Sequence, residues 1–506
     1  MVLKGKRFMM AVAVASFLAL LFLGLHPGAA SAAKVFRVGM WVEPTTLDPH
    51  AGLAGSDHDS FKQIFEPLVE VDPQGNAIPA LAVSWENPTP KEWVFHLRKN
   101  VLFHDGTPFN AAAVEFNIKR LQDPATKSPV ADIAKKIVGI NIMDDYTIKL
   151  TLDAPNVDFP IVMQDRPGMI VSPTAVKKLG ADFGRHPVGT GPFVFESWKE
   201  GDTIKLKKNQ NYWNKANVFL DEVELKIIPD QSVAVMNLQA GNLDMIISLS
   251  EERVQLLEKS KDIKIYYTPI LEFFSTYMSN IPPFDKKEVR QALAYAVDRE
   301  AITKALTFGY GRAATGPLPD IHWAYEGNVN RYPHNIAKAK ELLAKAGYPN
   351  GVKATLTTIP VPPHNKIALI VKQQAAEAGI DFTLEMVEPA QAIGKFMKKE
   401  TNALQLGWSG RASTDATFQS LIHSAGAYNN KTYVNPEADK LIERARTVSD
   451  IQERKKAYSA LQKLVADDMV ILVEYNKSLI TAAKANVKGV KNYLDGKLRL
   501  TGISAE

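Results

Sequence analysis

The sequence predicts an α/β fold, and three of its properties support this prediction. Short strand-like runs alternate with amphipathic helical runs along most of the chain. The apolar fraction of 46% is ordinary for a globular protein, and a chain of 506 residues can bury a large core. The chain contains no internal repeat, low-complexity tract or long linker. Strands that alternate with helices favour two or three layered domains with partly parallel sheets.

The individual elements are predicted from residue type, periodicity and turn signals. Short β-branched and aromatic runs predict strands over residues 93–97, 147–152, 203–207, 222–228, 264–268, 353–359, 380–387, 403–408 and 469–475. Helical periodicity predicts helices over residues 251–259, 336–346, 364–378 and 436–448. Ser250 and Asn335 are the expected N-caps of the first two helices, and Gly347 is expected to end the second.

The N-terminal segment has the three parts of a secretory signal peptide. An apolar run over residues 8–25 follows a basic head that contains Lys4, Lys6 and Arg7. The small residues at 30–33 then supply an A-x-A cleavage site. We predict a signal peptide over residues 1–33 and export to the periplasm. The alternative is a retained membrane anchor, because the apolar run approaches the length of a membrane span.

The composition excludes several classes of protein. Because the chain has no cysteine, it has no disulfide framework, thiolate metal site, cysteine nucleophile or cysteine-linked lipid anchor. The formal net charge of +5 falls to +2 when the three cations of the signal peptide leave, since no acidic residue precedes residue 34. No basic run indicates a nucleic-acid-binding stripe. We therefore expect a soluble exported protein that binds no nucleic acid.

The motifs of common enzyme classes are missing from the sequence. It contains no G-x-S-x-G, H-E-x-x-H, P-loop or G-x-G-x-x-G pattern. The ten histidines are scattered, and the spacing of His96 and His104 is not that of metal ligands. We predict no catalytic residue, no metal and no cofactor. Carboxylates are nevertheless numerous, so acid–base catalysis stays open at this point.

The most distinctive motif is the run WVFHLRKNVLFHDGTPF at residues 93–109. One further block, FEPL at 65–68, precedes this run. The others follow it in order: VGTGPF at 188–193, NYW at 211–213, VRQALAYAVDR at 289–299, AKELL at 339–343, AGYP at 346–349 and GWSGR at 407–411. Together these blocks resemble the family 5 extracellular solute-binding proteins. That family contains the peptide, dipeptide, nickel and glutathione receptors of ABC importers.

The resemblance implies a two-lobed periplasmic binding protein of type II, in the large peptide-binding subclass. Lobe I is expected over residues 34–268 plus 476–506, with an extra subdomain inserted at about 77–186. Lobe II is expected over residues 269–475. Two of the predicted strands would then lead the chain from one lobe to the other. A cleft between lobes is a usual place for a small-molecule site.

The first candidate segment for ligand binding contains Ala54, Gly55, Ser56 and Asp57. The resemblance implies that the matching segment of peptide-binding relatives offers its main chain to the ligand, in the manner of an added strand. Small residues permit that close approach. The alternative is a plain loop that leads into a helix.

The second candidate segment contains Trp408, Ser409, Gly410, Arg411 and Asp415. A guanidinium group can hold a carboxylate through two parallel hydrogen bonds, Asp415 could accept a ligand ammonium, and Trp408 can supply an apolar wall. The alternative is that Arg411 and Asp415 pair with neighbours on the loop. The resemblance implies an aspartate in dipeptide-binding relatives where this chain has Arg411. An anionic ligand, such as a modified peptide, a γ-glutamyl compound or an opine-like acid, is therefore favoured.

These observations predict the periplasmic solute-binding component of an ABC transporter. It would capture a small peptide-like or anionic solute in the cleft between its lobes and deliver it to an inner-membrane ABC permease. We expect a monomer that needs no cofactor. The first alternative keeps the fold but binds a metal chelate, haem, a sugar or an opine-like acid. Alternatives of another class are an exported hydrolase and a structural or chaperone-like protein.

Overall fold

The computed structural model describes residues 35–52, 55–429 and 431–506. The predicted signal peptide over residues 1–33 and the candidate ligand residue Ala54 lie outside the described residues. Residues Phe36 to Glu506 form one compact unit. Within the described ranges, no helix has the length and apolar character needed to cross a membrane.

Strands occur throughout this unit and are numbered in chain order. They are β1 (Val35–Met40), β2 (Val69–Val71), β3 (Ala77–Pro79), β4 (Ala82–Thr89), β5 (Glu92–Leu97), β6 (Ile137–Asp144), β7 (Thr147–Leu152), β8 (Phe193–Lys199), β9 (Thr203–Lys208), β10 (Glu222–Ile227), β11 (Met245–Ile246), β12 (Ile263–Met278), β13 (Arg312–Ala313), β14 (Val352–Thr358), β15 (Ile380–Met386), β16 (Ala403–Trp408), β17 (Ile471–Lys484), β18 (Val487–Lys488) and β19 (Ser504–Ala505). β-Branched and aromatic residues recur in the longer strands, as expected for pleated, half-buried surfaces.

Helices separate many of these strands. They are α1 (His58–Ile64), α2 (Ala111–Gln122), α3 (Ala131–Ala134), α4 (Phe159–Val162), α5 (Pro173–Leu179), α6 (Gln231–Ala240), α7 (Glu251–Val254), α8 (Lys287–Ala296), α9 (Arg299–Thr307), α10 (Ile336–Lys345), α11 (His364–Ala378), α12 (Pro389–Met397), α13 (Thr414–Leu421), α14 (Pro436–Thr447) and α15 (Ile451–Asp468). Short 3-10 helices include Gly55–Asp57 and Arg166–Gly168.

One large mixed sheet extends through the unit. Its strand order is β15–β14–β16–β12–β17–β11–β1–β10–β9–β8, and β13 pairs with β17. The antiparallel strands β12 and β17 are long, at 16 and 14 residues, and connect the two ends of the sheet. β14 is parallel to both β15 and β16. This mixture of parallel and antiparallel pairs, with helices between the strands, confirms the predicted α/β class.

Several separate hydrophobic cores form around these sheets. The four-stranded antiparallel sheet β4–β5–β7–β6 packs with α2 around Phe95, Ile148 and Ile118, in the segment predicted as the inserted subdomain. A second core contains Phe36, Phe61 and other buried residues, and a third lies among α8, α11 and β14. Separate cores are what lobes with their own interiors require. The lobe boundaries remain a prediction.

The strand and helix predictions are confirmed most closely where the sequence contains both a pattern and a cap. β7 and β16 have the predicted bounds, and α11 also has its predicted bounds. Asn335 caps α10 as expected, because its side chain accepts a hydrogen bond from the backbone N–H of Lys338 at 2.9 Å. The capping residue therefore sets the helix start that periodicity alone leaves open.

Three predictions are wrong in extent. The strand predicted over residues 469–475 begins at Ile471 and continues to Lys484 as β17. The helix predicted over residues 251–259 ends at Val254, and Ser250 makes no side-chain cap bond. Tight turns replace the helix, since Leu256 and Leu257 donate to the carbonyl oxygens three residues before them. The strand predicted over residues 264–268 continues to Met278 as β12. It passes Pro269 because the pairing with β17 shifts there, and a bulge tolerates a residue without an N–H.

Candidate functional site

A cavity of about 410 Å³ is bordered by segments that are far apart in the chain. We call it the central cavity. Its described lining consists of His58, Lys62, Pro129, Val130, Ile133, Gln164, Asp165, Arg166, Leu271, Glu272, Ser409, Gly410, Arg411, Ala412, Leu494, Asp495 and Lys497. Its volume lies at the lower end of the roughly 300–1,000 Å³ that small-molecule sites occupy. A small solute therefore fits it better than a long peptide.

The loop after β16 places Arg411 at this cavity. Gly410 has φ of +72°, and a Cβ atom there would lie 2.9 Å from the backbone carbonyl of Leu271, so the turn requires glycine. The Arg411 guanidinium group donates to Ser409 Oγ at 2.8 Å and to the Gly410 carbonyl oxygen at 2.6 Å. It also lies 4.6 Å from the centre of the Trp408 ring. Atoms of the loop itself therefore hold the Arg411 side chain, and part of its guanidinium group remains exposed.

Arg166 is a second arginine of the central cavity, and it is not among the residues predicted from the sequence. Asp165 caps the 3-10 helix Arg166–Gly168, because its carboxylate accepts from the Arg166 backbone N–H at 2.7 Å. Nη1 of Arg166 donates to the Gly52 carbonyl oxygen at 2.6 Å. Its Nε is buried and has no hydrogen-bond acceptor in the described chain. A pair of adjacent charged residues, Asp165 and Arg166, inside the largely apolar run at 159–171 was the signal that could have revealed it.

The two arginines form the electrostatic centre of the site. In the part of the chain that the structure describes, neither guanidinium group has a carboxylate within 4.0 Å. Burial lowers the pKa of Arg411, Tyr428 and Asp165 oppose that effect, and the positive charge of Arg166 adds to it. The Arg411 guanidinium group nevertheless remains charged, because its pKa stays far above neutral. Two close cations without an ion-pair partner favour an anion in the cavity.

The carboxylates that line the cavity already have side-chain partners. Asp165 contacts His58 at 2.5 Å, Glu272 pairs with Lys477 at 3.0 Å, and Asp495 pairs with Arg499 at 2.7 Å. Burial raises the pKa of Asp165, but His58 and Arg166 outweigh burial and hold that pKa well below its usual range. The acids of the lining therefore have partners, and Asp165 offsets part of the positive field of the two arginines, neither of which forms an ion pair within 4.0 Å in the described chain.

The first predicted segment lies directly before a residue that lines the central cavity. Gly55, Ser56 and Asp57 form a 3-10 helix that leads directly into α1, whose first residue, His58, lines the cavity. The Asp57 carboxylate accepts from the backbone N–H and the Oγ1 of Thr45, at 2.9 and 2.8 Å. None of these three residues is in the described lining of the central cavity. Their main-chain contact with a ligand stays a prediction.

The second predicted segment divides into three parts. Ser409, Gly410 and Arg411 line the central cavity. Trp408 is outside that described lining and lines an adjoining cavity of about 190 Å³. Asp415 is only 4% exposed, and its carboxylate is held by Arg446, with Nη2 to Oδ2 at 2.9 Å. Because this ion pair occupies the carboxylate, we leave Asp415 out of the proposed site.

A built metal centre is not part of the described site. In residues 35–52, 55–429 and 431–506, no group of three or more histidine, cysteine, aspartate or glutamate side chains is arranged to hold a metal ion.

Residues 76–430 match a family model described as "Bacterial extracellular solute-binding proteins, family 5 Middle". The glutathione-binding protein GsiB of Escherichia coli (strain K12) is 30% identical over 484 residues. That alignment covers 92% of this chain and 93% of GsiB. The family match confirms the resemblance that the sequence blocks indicated, and these relatives are named as binding proteins.

Solved structures share the fold over nearly the whole chain. HbpA2 from Haemophilus parasuis has a TM-score of 0.87 and 25% identity, and the likeness covers 94% of this chain and 100% of HbpA2. The binding protein AgaA from A. tumefacien R10, in complex with agropinic acid, has a TM-score of 0.76 and 28% identity. That likeness covers 94% of this chain and 99% of AgaA. The predicted two-lobed periplasmic binding-protein fold is confirmed.

Proposed function

Because the chain belongs to family 5 of the bacterial extracellular solute-binding proteins, we propose that it captures a small anionic, peptide-like solute and delivers it to an inner-membrane ABC permease. One observation carries this proposal. Arg166 and Arg411 both line the central cavity, and in the described chain neither has a carboxylate within 4.0 Å. A ligand carboxylate would supply the missing partner.

The positions of the lining residues support a cleft between two lobes. His58, Arg166 and Lys497 belong to the proposed lobe I, at residues 34–268 plus 476–506 with an inserted subdomain at about 77–186. Glu272 and Arg411 belong to the proposed lobe II, at residues 269–475. A ligand held by both arginines would therefore bridge the lobes and favour the closed form. Hinge closure of this kind buries the ligand and shifts the population of open and closed molecules.

The relatives support an acidic ligand. GsiB is named as a glutathione-binding protein, and glutathione is a peptide-like anion. AgaA was solved with agropinic acid, which is also an organic acid. The proposed ligand class therefore includes γ-glutamyl peptides, other acidic peptides and opine-like acids. We further propose that the protein works as a monomer in the periplasm after removal of residues 1–33, and that it makes and breaks no bond in its ligand.

The proposal is tested by a ligand screen with matched variants. Thermal shift and then calorimetry would compare glutathione, agropinic acid and acidic dipeptides with neutral and basic dipeptides. The variants are Arg166→Ala and Arg411→Ala, and the control is Arg253→Ala, because Arg253 pairs with Glu252 at 3.6 Å and is outside the described lining of the central cavity. Micromolar capture corresponds to about −8 kcal/mol.

We expect the wild-type protein and the Arg253→Ala variant to bind acidic ligands alike. Each cavity variant should lose about 2–5 kcal/mol of binding free energy, because the ligand carboxylate would lose a charged, enclosed partner. Equal affinity of the wild-type protein and all three variants for acidic ligands would show that neither arginine contacts the ligand. Binding of only neutral or basic ligands by the wild-type protein would contradict the anionic ligand class.

A further inference from the structure

A second cavity, of about 190 Å³, adjoins the central cavity. We call it the side cavity. Ser409 and Arg411 line both cavities, so the loop after β16 forms the wall between them. The rest of its described lining is aliphatic, sulfur-containing or aromatic, apart from the backbone of Gly407, and it comes largely from β16 and α12. Arg411 is the one charged residue in that described lining.

Trp408, one of the residues that line the side cavity, has a buried polar atom without a partner in the described chain. Trp408 is 7% exposed, and its Nε1–H has no hydrogen-bond acceptor among the described residues. The Trp408 ring contacts the Arg411 guanidinium group on one side and the Tyr428 ring, at 5.4 Å between centroids, on another. A buried donor left without an acceptor costs free energy. This donor is hidden from a water-sized probe, so the ring of Trp408 rather than its N–H borders the side cavity.

The size of the side cavity limits what can enter it. An apolar cavity of about 150 Å³ is large enough to hold a benzene molecule. A leucine- or phenylalanine-sized group therefore fits a volume of about 190 Å³. The described walls are mostly apolar, and the polar side chains among them are Arg411, Ser409, Tyr277 and Tyr428. A charged or amide-bearing group would therefore lose its hydration and gain few partners in return.

These observations connect an anion-binding group with an apolar cavity in one continuous site. We propose that the solute carries one apolar side chain, of leucine to phenylalanine size, next to the acidic group that Arg411 holds. That side chain occupies the side cavity and packs against the ring of Trp408. The inference rests on the proposed function, and it narrows the ligand class to acidic peptide-like compounds with an apolar side chain.

The test uses probes of equal charge that differ only in one side chain. Calorimetry would compare γ-glutamylglycine, γ-glutamylleucine and γ-glutamylphenylalanine with the wild-type protein. The variant Ile393→Trp fills the side cavity from α12. Tyr428→Trp adds volume at a position that is 45% exposed, so it remains informative if Ile393→Trp fails to fold. Leu369→Trp is the control, because Leu369 is 51% exposed and outside the described lining of both cavities.

We expect the wild-type protein and Leu369→Trp to bind the leucine and phenylalanine probes about tenfold or more tightly than the glycine probe. Both cavity-filling variants should lose this preference. Equal affinity of the wild-type protein for all three probes, or a preference that survives in both variants, would overturn the inference but leave the proposed function intact. If the wild-type protein binds none of the acidic probes and instead binds basic or neutral peptides, the proposed function itself fails.

Discussion

Arg166 is held in place by its own loop before any solute arrives. The Asp165 cap and the hydrogen bond to the Gly52 carbonyl oxygen fix its backbone and one end of its guanidinium group. Gly168 permits this loop, since a Cβ atom there would lie 1.9 Å from the Met163 carbonyl oxygen. A cation fixed in this way loses little freedom on binding, and such preorganisation raises affinity.

Arg166→Lys separates the charge of this residue from its geometry. Lysine keeps the positive charge but lacks the planar fork that can bind a carboxylate and the Gly52 carbonyl oxygen together. We therefore expect calorimetry to give an affinity for acidic probes between those of the wild-type protein and Arg166→Ala. An affinity equal to that of Arg166→Ala would show that geometry rather than charge makes the contribution. A wild-type affinity would mean that Arg166 acts only as a distant charge.

Glu474 predicts a pH dependence of folding stability. Burial raises the pKa of its carboxyl group to about 8, against the opposing hydrogen bond from Thr276 Oγ1 and the positive charge of Arg299. The folded state therefore binds more protons than the unfolded state between about pH 4.5 and 8, so stability falls as pH rises through this window.

Glu474→Gln should reduce the loss of folding stability between about pH 4.5 and 8. Urea unfolding at pH 5.5 and pH 8.5 would measure it, with a maximum effect of about 1.4 kcal/mol per pH unit for one titrating group. Glu66, whose pKa burial raises to about 7, keeps part of the slope in the variant. The same change in stability with pH in both proteins would contradict a carboxyl group that stays protonated when buried.

At the scale of elements, the block at residues 188–193 shows how a sequence motif fixes packing. Gly191 donates from its backbone N–H to the Ile64 carbonyl oxygen at 2.9 Å, at the end of α1. A Cβ atom on Gly191 would lie 2.6 Å from that carbonyl group. Its own carbonyl oxygen accepts from His104 and Asn209, both at 3.0 Å. The motif therefore holds α1, and with it His58, against β8.

Gly191→Ala should destabilise the protein by roughly 1–3 kcal/mol, because the added methyl group forces the backbone of α1 to move. The control is Gly394→Ala in α12, where an added Cβ meets nothing within 4 Å. That control should stabilise the protein by about 0.5–1 kcal/mol, since alanine is favoured inside a helix. Urea unfolding measures both changes. If Gly191→Ala is as stable as the wild-type protein, this close contact does not exist in solution.

The bounds of some strands and helices could be predicted from the sequence alone, and those of others could not. β7, β16 and α11 were predictable because each has a clear period and clear breaks at both ends. The extension of β12 beyond Pro269 was not predictable, since its pairing with the distant strand β17 overrides the local break.

For the site, the GWSGR block revealed Arg411 through the family resemblance. Arg166 lies in a short turn without a motif, and only tertiary packing brings it to the same cavity.

At the scale of the whole molecule, Asp158 joins the two proposed lobes. Its carboxylate accepts from Ser413 Oγ at 2.9 Å and from the Asp415 backbone N–H at 3.3 Å, and it pairs with Arg454. Asp158 and Arg454 are only 3% and 8% exposed. This contact lies just after the loop that contains Arg411, so lobe closure and ligand contact are linked in space.

Asp158→Ala should shift the protein towards an open form. Loss of the carboxylate leaves Arg454 buried without its partner, which costs about 3–5 kcal/mol unless the lobes separate. We expect a larger radius of gyration in solution scattering and a weaker affinity for acidic probes. The control is Asp132→Ala, whose carboxylate is 96% exposed and pairs with Lys135 on the surface. Scattering and affinity that match the wild-type protein would exclude Asp158 from closure.

We propose that Arg166 and Arg411 together hold an acidic solute between the two proposed lobes. The most direct test is mass spectrometry of the small molecules released from the purified protein, compared with those from the Arg166→Ala, Arg411→Ala double variant. We predict an acidic, peptide-like compound that the wild-type protein retains and the double variant loses. A neutral or basic compound, or equal retention of the same acid by both proteins, would contradict binding of an acid by these two arginines.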